Sequence, residues 1–296
     1  MSARSTLGCW IEAMRLRTLP VSVSGVVFAA GICVAERSIN VVALALCLIF
    51  ALLAQVASNF ANEYFDYRAG LDRVGRDGPR RGVTEGDIAP QDMLKATLAT
   101  LAVACAVGCL VVALYGCRWM YIAGIFVAVG AMAYSTGPFP LSRHGLGEVA
   151  VVLFFGVVPV CLTCMLCGVE WSSRVLAAGI ALGCMGANVL VVNNYRDRDD
   201  DLLVGKNTLA VIAGRPAMVA LYFCNGLLAL LLTIRLWLSI SVTGWLPPAF
   251  YLLLHCGLTA ALTKRSGRAL NPLLGLTAML MLLFSLTFLI LSISTL

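Results

Sequence analysis

Nine runs of mostly apolar, almost uncharged residues follow one another along the chain, near 18–35, 41–62, 96–116, 119–136, 146–168, 174–194, 216–238, 243–263 and 271–294. Each is about 17 to 25 residues long, enough for a helix to cross the ~30 Å hydrocarbon layer of a bilayer. In that layer a helix satisfies its own backbone hydrogen bonds, which an open strand cannot do. Only 12% of the 296 residues are charged and the mean hydropathy is +0.93, against roughly 25% charge in soluble domains. The expected fold class is an all-α integral membrane protein: one domain forming a nine-transmembrane-helix bundle in the lipid bilayer.

The basic residues orient that bundle. With the N-terminus inside, 17 of the 21 Lys and Arg fall on the inner side, among them Arg4, Arg15 and Arg17, and 4 on the outer side. This asymmetry predicts a cytoplasmic N-terminus and an outer C-terminus in a bacterial inner membrane. The formal charge of +6 follows from the same asymmetry and implies no nucleic acid. The first 17 residues lack a signal-peptide pattern. Leu7, Trp10, Ile11 and Met14 are spaced for a short amphipathic helix on the inner surface. Twelve cysteines fall almost entirely within the apolar runs. Cys161, Cys164 and Cys167 lie in an apolar run with no His or carboxylate between them, and they read as small buried hydrophobes, not as a metal site.

Acidic residues are few and concentrated. Of fifteen, seven lie between Glu63 and Asp92 and four between Asp197 and Asp201, in two loops on the predicted inner side. Each cluster opens with the same lettering, NEYFD at Asn62–Asp66 and NNYRD at Asn193–Asp197. On a helix, positions i, i+4 and i+8 share a face, so Asn193, Asp197 and Asp201 form a stripe. Asn62 and Asp66 form another, extended backwards by Gln55, Ser58 and Asn59. Asp72 lies beyond Gly70 and must reach such a site from a loop. Polar stripes are costly against lipid and are expected to face the bundle interior. Carboxylates at helix C-termini also meet the negative pole of the helix dipole, a conflict that a multivalent cation resolves. Carboxylate and amide oxygens suit Mg²⁺, which commonly shares its coordination with substrate phosphates. GRDGPRRG, with Arg73, Arg76, Arg80 and Arg81, and DDDLLVGKNT, with Lys206, supply cations for such phosphates.

With RLRTLPVSVSG at 15–25, NEYFDYRAGLD at 62–72, GPRRG at 78–82, YSTGPFPLSRHGLGE at 134–148 and NNYRDRDDDLLVGKNTLAV at 193–211, the chain resembles the UbiA superfamily of membrane aromatic prenyltransferases. The spacing to Asp72 is that of its menaquinone branch. Glu63 stands where the family's first motif often has Asp. The resemblance implies a helical bundle around a central cavity and two halves, about 1–140 and 141–296. It implies Mg²⁺ held by Asp66, Asp72, Asp197 and Asp201 on a polyprenyl diphosphate, with 1,4-dihydroxy-2-naphthoate as acceptor. Asn62, Asn193, Arg17, Arg80, Arg81, Lys206 and His144 are the further substrate-binding residues it implies. Tyr64, Tyr134 and Tyr195 are candidates to stabilise an allylic cation through a ring face. Other aromatic acceptors, such as 4-hydroxybenzoate, stay open at this point. So does a cation-coupled transporter, whose ion site would lie near the bilayer midplane and not at helix ends.

Overall fold

The computed structural model describes residues 6–295. Arg4, counted above on the inner side, lies outside the described residues. A short helix, α1 (Thr6–Ala13), precedes α2 (Leu19–Ala35), α3 (Val41–Arg68), α4 (Pro90–Tyr115), α5 (Trp119–Ala133), α6 (Gly147–Leu166), α7 (Ser173–Leu203), α8 (Leu209–Ile240), α9 (Leu246–Lys264) and α10 (Asn271–Ser294). Among the described residues eight spans, the first being α1 together with α2, are long and apolar enough to cross a membrane. The ninth, α5, has 15 residues, about 22 Å at 1.5 Å per residue. The nine expected spans are thus α2–α10 among the described residues. In α1, Trp10 packs edge-on against Phe60 of α3 at 5.6 Å, while Leu7 and Ile11 stay exposed.

Local chemistry sets the ends. Asn40 caps α3 by accepting from the Ala43 N–H (3.0 Å), and Ser172 caps α7 by accepting from the Val175 N–H (3.3 Å). Prolines in the first turn start α4 and α9. Both motif-bearing helices outrun their apolar sequences and close with the same cap. Gly70 (φ 68°) and Gly205 (φ 71°) take the left-handed conformation, and the N–H groups of Leu71 and Lys206 return to the carbonyls of Asp66 (2.9 Å) and Asp201 (2.8 Å). The cap follows four residues after Asp66 but eight after Asp197. For that reason α7 still presents Asp201 from helix, whereas the first half must bring Asp72 from a loop. Within α6, Val152–Val157 widens to a π-helix. Pro159 has no N–H to return to the Phe155 carbonyl, so the ladder opens there.

The centre of the bundle is α7, most of whose apolar stretch is buried. Lipid tails are as apolar as the helices, so association depends on close packing. At Gly156, α6 lies against Gly179 and Gly183 of α7 so closely that an added Cβ would meet backbone atoms. On the other flank, Phe28 of α2 stacks on Phe288 of α10 at 4.3 Å, and Trp237 of α8 meets Phe284 and Phe288 edge-on at 4.9 and 5.0 Å. Such ring pairs contribute about 0.5–1.5 kcal/mol each beyond simple burial. Cys161, Cys164 and Cys167 are buried free thiols in this packing. Because the α2, α8, α9 and α10 side is filled in this way, the expected cavity lies to one side. It measures about 550 Å³ and is bounded by α2–α7, adjoining loop residues and Leu274 of α10; none of its lining among the described residues comes from α8 or α9.

Candidate active site

Helices α3 and α7 end on the same side of the bundle, and their polar stripes meet. Asn62 donates through Nδ2 to Asp66 Oδ2 (3.1 Å) one turn on. Lys206, just past the end of α7, donates to the same Asp66 oxygen (3.2 Å). Arg76 joins the two halves directly, donating through Nη1 to Asp72 Oδ1 (2.6 Å) and through Nη2 to Asp197 Oδ2 (2.5 Å). One guanidinium therefore spans the carboxylates of both motifs, which start 131 residues apart.

All four carboxylates are nearly sealed from solvent. Asp66 and Asp197 are 1% exposed, Asp201 7%, and the Asp72 side chain 2%. Burying four such charges among apolar helices is tolerable only with cations beside them. Arg196 holds Asp197 through two bonds (2.7 and 2.8 Å) and is itself fixed by Asn193 and Asn271 (both 2.8 Å). Arg143 reaches Asp66 at 3.5 Å and also donates to the Phe65 and Ser135 carbonyls. Arg15 donates to Asn62 Oδ1 (2.7 Å), with Arg81 behind it at 3.4 Å. Burial lowers the Lys206 and Arg76 pKa values, but the surrounding aspartates more than offset this and hold both above their ordinary values. Burial raises the Asp72 carboxyl, and Arg76 only partly reverses the shift.

Asp72 therefore keeps one oxygen that its cations leave uncompensated. Its Oδ2 accepts no hydrogen bond although Arg81 Nε stands 3.4 Å away, and Arg81 Nε and Nη1 also lack partners. An open hard-oxygen ligand and an open guanidinium fit a divalent cation and a phosphate respectively. Among the described residues no three His, Cys, Asp or Glu side chains converge into a ready metal cage. Mg²⁺ requires none, since it usually binds one or two carboxylates and completes its shell with water and substrate phosphate.

The structure sorts the residues expected from sequence. Asn62, Asn193, Asp197, Asp201, Arg81 and Lys206 line the cavity, with Asp66 and Asp72 directly behind Asn62 and Arg76. Arg17 is exposed, and the basic residue of that segment that reaches the site is Arg15. Arg80 turns away to Asp87 (2.7 Å) and Glu85 (3.6 Å). His144 is exposed, stacks on Phe139 at 3.8 Å and bonds the Pro140 carbonyl. Its neighbour Arg143 contacts Asp66 instead. Glu63 accepts from the Val83 N–H (3.1 Å) and so pins the loop after Asp72. Of the three tyrosines, only Tyr134 lines the cavity; Tyr64 bonds Arg68 and Tyr195 lies under Arg215. The outer acids of the second motif, Asp199 and Asp200, pair with Arg215 and Arg73.

Away from this charged end the cavity is apolar. On α3 its lining runs back from Asn62 to Cys47, about 22 Å of helix. Phe50, Ala104, Val111, Met120, Phe154 and Leu162 complete its walls. A molecule with a polyanionic head and an apolar tail matches both ends.

The comparisons with known proteins agree with this geometry. The model of the UbiA prenyltransferase family matches residues 24–286. A 1,4-dihydroxy-2-naphthoate octaprenyltransferase from Mycobacterium tuberculosis is 34% identical over 284 residues, covering 94% of each chain. The protein of the same description from Escherichia coli is 31% identical over 245 residues, 80% of this chain and 79% of the relative. Among solved structures, a UbiA homologue from Archaeoglobus fulgidus bound to GPP and Mg²⁺ superposes with a TM-score of 0.69 at 15% identity, covering 95% of this chain and 99% of its own. Nine apolar helices among the described residues, two facing Asn-x-Tyr-x-Asp helix ends and a family match across most of the sequence lead to one conclusion: this chain belongs to the UbiA prenyltransferase family.

Proposed function

We propose that this chain transfers a polyprenyl group from a polyprenyl diphosphate to 1,4-dihydroxy-2-naphthoate, a step towards menaquinone. The observation that carries this reading is Arg76, whose single guanidinium bridges Asp72 and Asp197 at the charged end of an apolar cavity. The relatives described as 1,4-dihydroxy-2-naphthoate octaprenyltransferases support the acceptor, and the branch spacing to Asp72 favours it over 4-hydroxybenzoate. The position of the acids at helix ends argues against a midplane ion site of the transporter kind.

Asp66, Asp72, Asp197 and Asp201, with Asn62 and Asn193, would hold Mg²⁺ together with the diphosphate. Bound there, Mg²⁺ withdraws negative charge from the leaving diphosphate. Aspartates that now pair with Arg76 and Lys206 would then be free to hold the metal, and those two cations to meet phosphate oxygens. Developing charge on the leaving group is then met by groups already in place. The allylic C–O bond breaks with its electron pair going to the diphosphate, and the acceptor ring supplies the pair for the new C–C bond. The ring carboxylate leaves as carbon dioxide and returns its bonding pair to the ring. Apolar walls keep water from the cation, and the Tyr134 ring is the aromatic face nearest the charged end suited to it.

Purified membranes given Mg²⁺, octaprenyl diphosphate and dihydroxynaphthoate are expected to form a prenylated naphthoquinol, with the product lost on chelation and restored by added Mg²⁺. Product with 4-hydroxybenzoate alone would reassign the acceptor. Product made equally well in chelator would end the metal-dependent reading.

We also infer a cytoplasmic N-terminus, a bacterial inner-membrane location and two related halves, about 1–140 and 141–296. The matching glycine caps after Asp66 and Asp201 favour the repeat. A phosphatase fused at Leu296 is expected to be active in cells, and a green fluorescent protein fused at the same point dark; the reverse pattern would invert the topology.

A further inference from the structure

One buried ionisable group beside the cavity has no part in the chemistry above. Glu148, in the first turn of α6, is 5% exposed. Its Oε1 accepts from Asn194 Nδ2 (2.8 Å), and its Oε2 is buried without a hydrogen-bond partner. Among the described residues no Lys or Arg forms an ion pair with it. A carboxylate placed in an apolar bundle for packing alone is costly, so its one partner indicates its use.

That partner, Asn194, lines the cavity. It sits one turn before Asp197 and one turn after Leu190 on α7, where the charged end gives way to the apolar part. The Tyr134 hydroxyl closes the same corner, 3.6 Å from the place a Cβ on Gly147 would take. A side-chain amide offers donors on one side and an acceptor on the other, and an ionised carboxylate only accepts. Glu148 therefore fixes which way the Asn194 amide faces: its NH₂ is held at Glu148 and its oxygen is left for the cavity. A glutamine at 148 would bond the amide in either sense and lose that constraint.

We infer that Asn194 is the residue that accepts a hydrogen bond from a ring hydroxyl of the aromatic acceptor, and that Glu148 is the positioning residue that sets it. The inference rests on the prenyl-transfer reading and deepens it. It places the ring within one helical turn of Asp197, beside the allylic carbon being released.

The test is kinetic, with each substrate varied in turn. Glu148→Gln and Asn194→Leu are expected to raise the KM for dihydroxynaphthoate about tenfold while the KM for octaprenyl diphosphate stays within about twofold. Rescue by Glu148→Asp is expected to be partial. Mono-O-methyl ethers of the acceptor, used as competitive inhibitors, are expected to bind wild type about tenfold less tightly than the free hydroxyl form, and Asn194→Leu equally tightly in both forms. An unchanged acceptor KM, or equal rises in both KM values, would overturn the assignment. Should the variants fail to fold, ethers that bind wild type as well as the free hydroxyl form does would overturn it as well. Wild type that transfers no prenyl group to any aromatic would instead overturn the prenyl-transfer reading.

Discussion

Asp197→Asn is expected to lower the rate of prenyl transfer by about 10²–10³-fold, the range seen when one preorganised charge-stabilising contact is removed. The substitution keeps the side chain's volume but removes its charge at the point where Arg76 and Arg196 converge on it, at 2.5 to 2.8 Å. Two effects follow and must be separated. The catalytic one is loss of a ligand for the divalent cation and of the partner that aims Arg76. The structural one is that Arg196, only 4% exposed, is left buried without its carboxylate, while Arg76 keeps Asp72 alone; breaking such a buried pair costs about 3–5 kcal/mol. Asp201→Asn is the companion variant. Its carboxylate accepts only a 3.3 Å bond from Thr208 and holds no guanidinium, so a comparable rate loss there with little change in Tm would isolate the catalytic effect. Folded Asp197→Asn protein that keeps its rate within about twofold would remove the paired carboxylates from the mechanism.

The second large effect concerns folding. Gly183→Leu is expected to abolish accumulation of folded protein, and Gly183→Ala to destabilise by about 1–3 kcal/mol, the usual range for overpacking a close contact. At Gly183 an added Cβ would meet the Val152 backbone in the π-helical stretch of α6. The opposing atoms are main chain, so no rotamer change makes room. Gly124 is the control: it lines the cavity, and an added Cβ there meets nothing within 4 Å. Gly124→Ala should leave Tm and detergent-solubilised yield unchanged, whereas Gly183→Ala should lower both. A Gly183→Leu protein of wild-type yield and Tm would mean that α6 and α7 are not packed backbone to backbone.

Parts of the site were legible in the sequence because helical geometry is local. The 3.6-residue period separated Asp197 and Asp201 from Asp199 and Asp200, which the structure places in the partly exposed pairs with Arg215 and Arg73. The break at Gly70 marked Asp72 as reaching the site from a loop. The same reasoning had no means of ranking the basic residues. Arg15 and Arg17 sit in one short segment, as do Arg80 and Arg81, and adjacent side chains diverge according to the local backbone. Arg15 itself takes a left-handed conformation (φ 54°) ahead of a short 3₁₀ turn, which no composition rule anticipates. His144 drew notice as a lone histidine, yet Arg143 beside it holds Asp66. The Glu148–Asn194 pair, 46 residues apart, carried no signal, since either residue alone reads as a helix-end polar group.

The sequence by itself determined the number of membrane helices, the two acidic helix ends and the chemistry those oxygens favour, because hydropathy, helical period and ligand hardness are properties of short segments. Only the tertiary structure decided which cation stands between which carboxylates, that the cavity lies among α2–α7, and which amide is turned towards it. Those outcomes depend on how closely glycine and aromatic faces let separate helices approach, and the approach distance is a property of pairs of segments that no single segment contains.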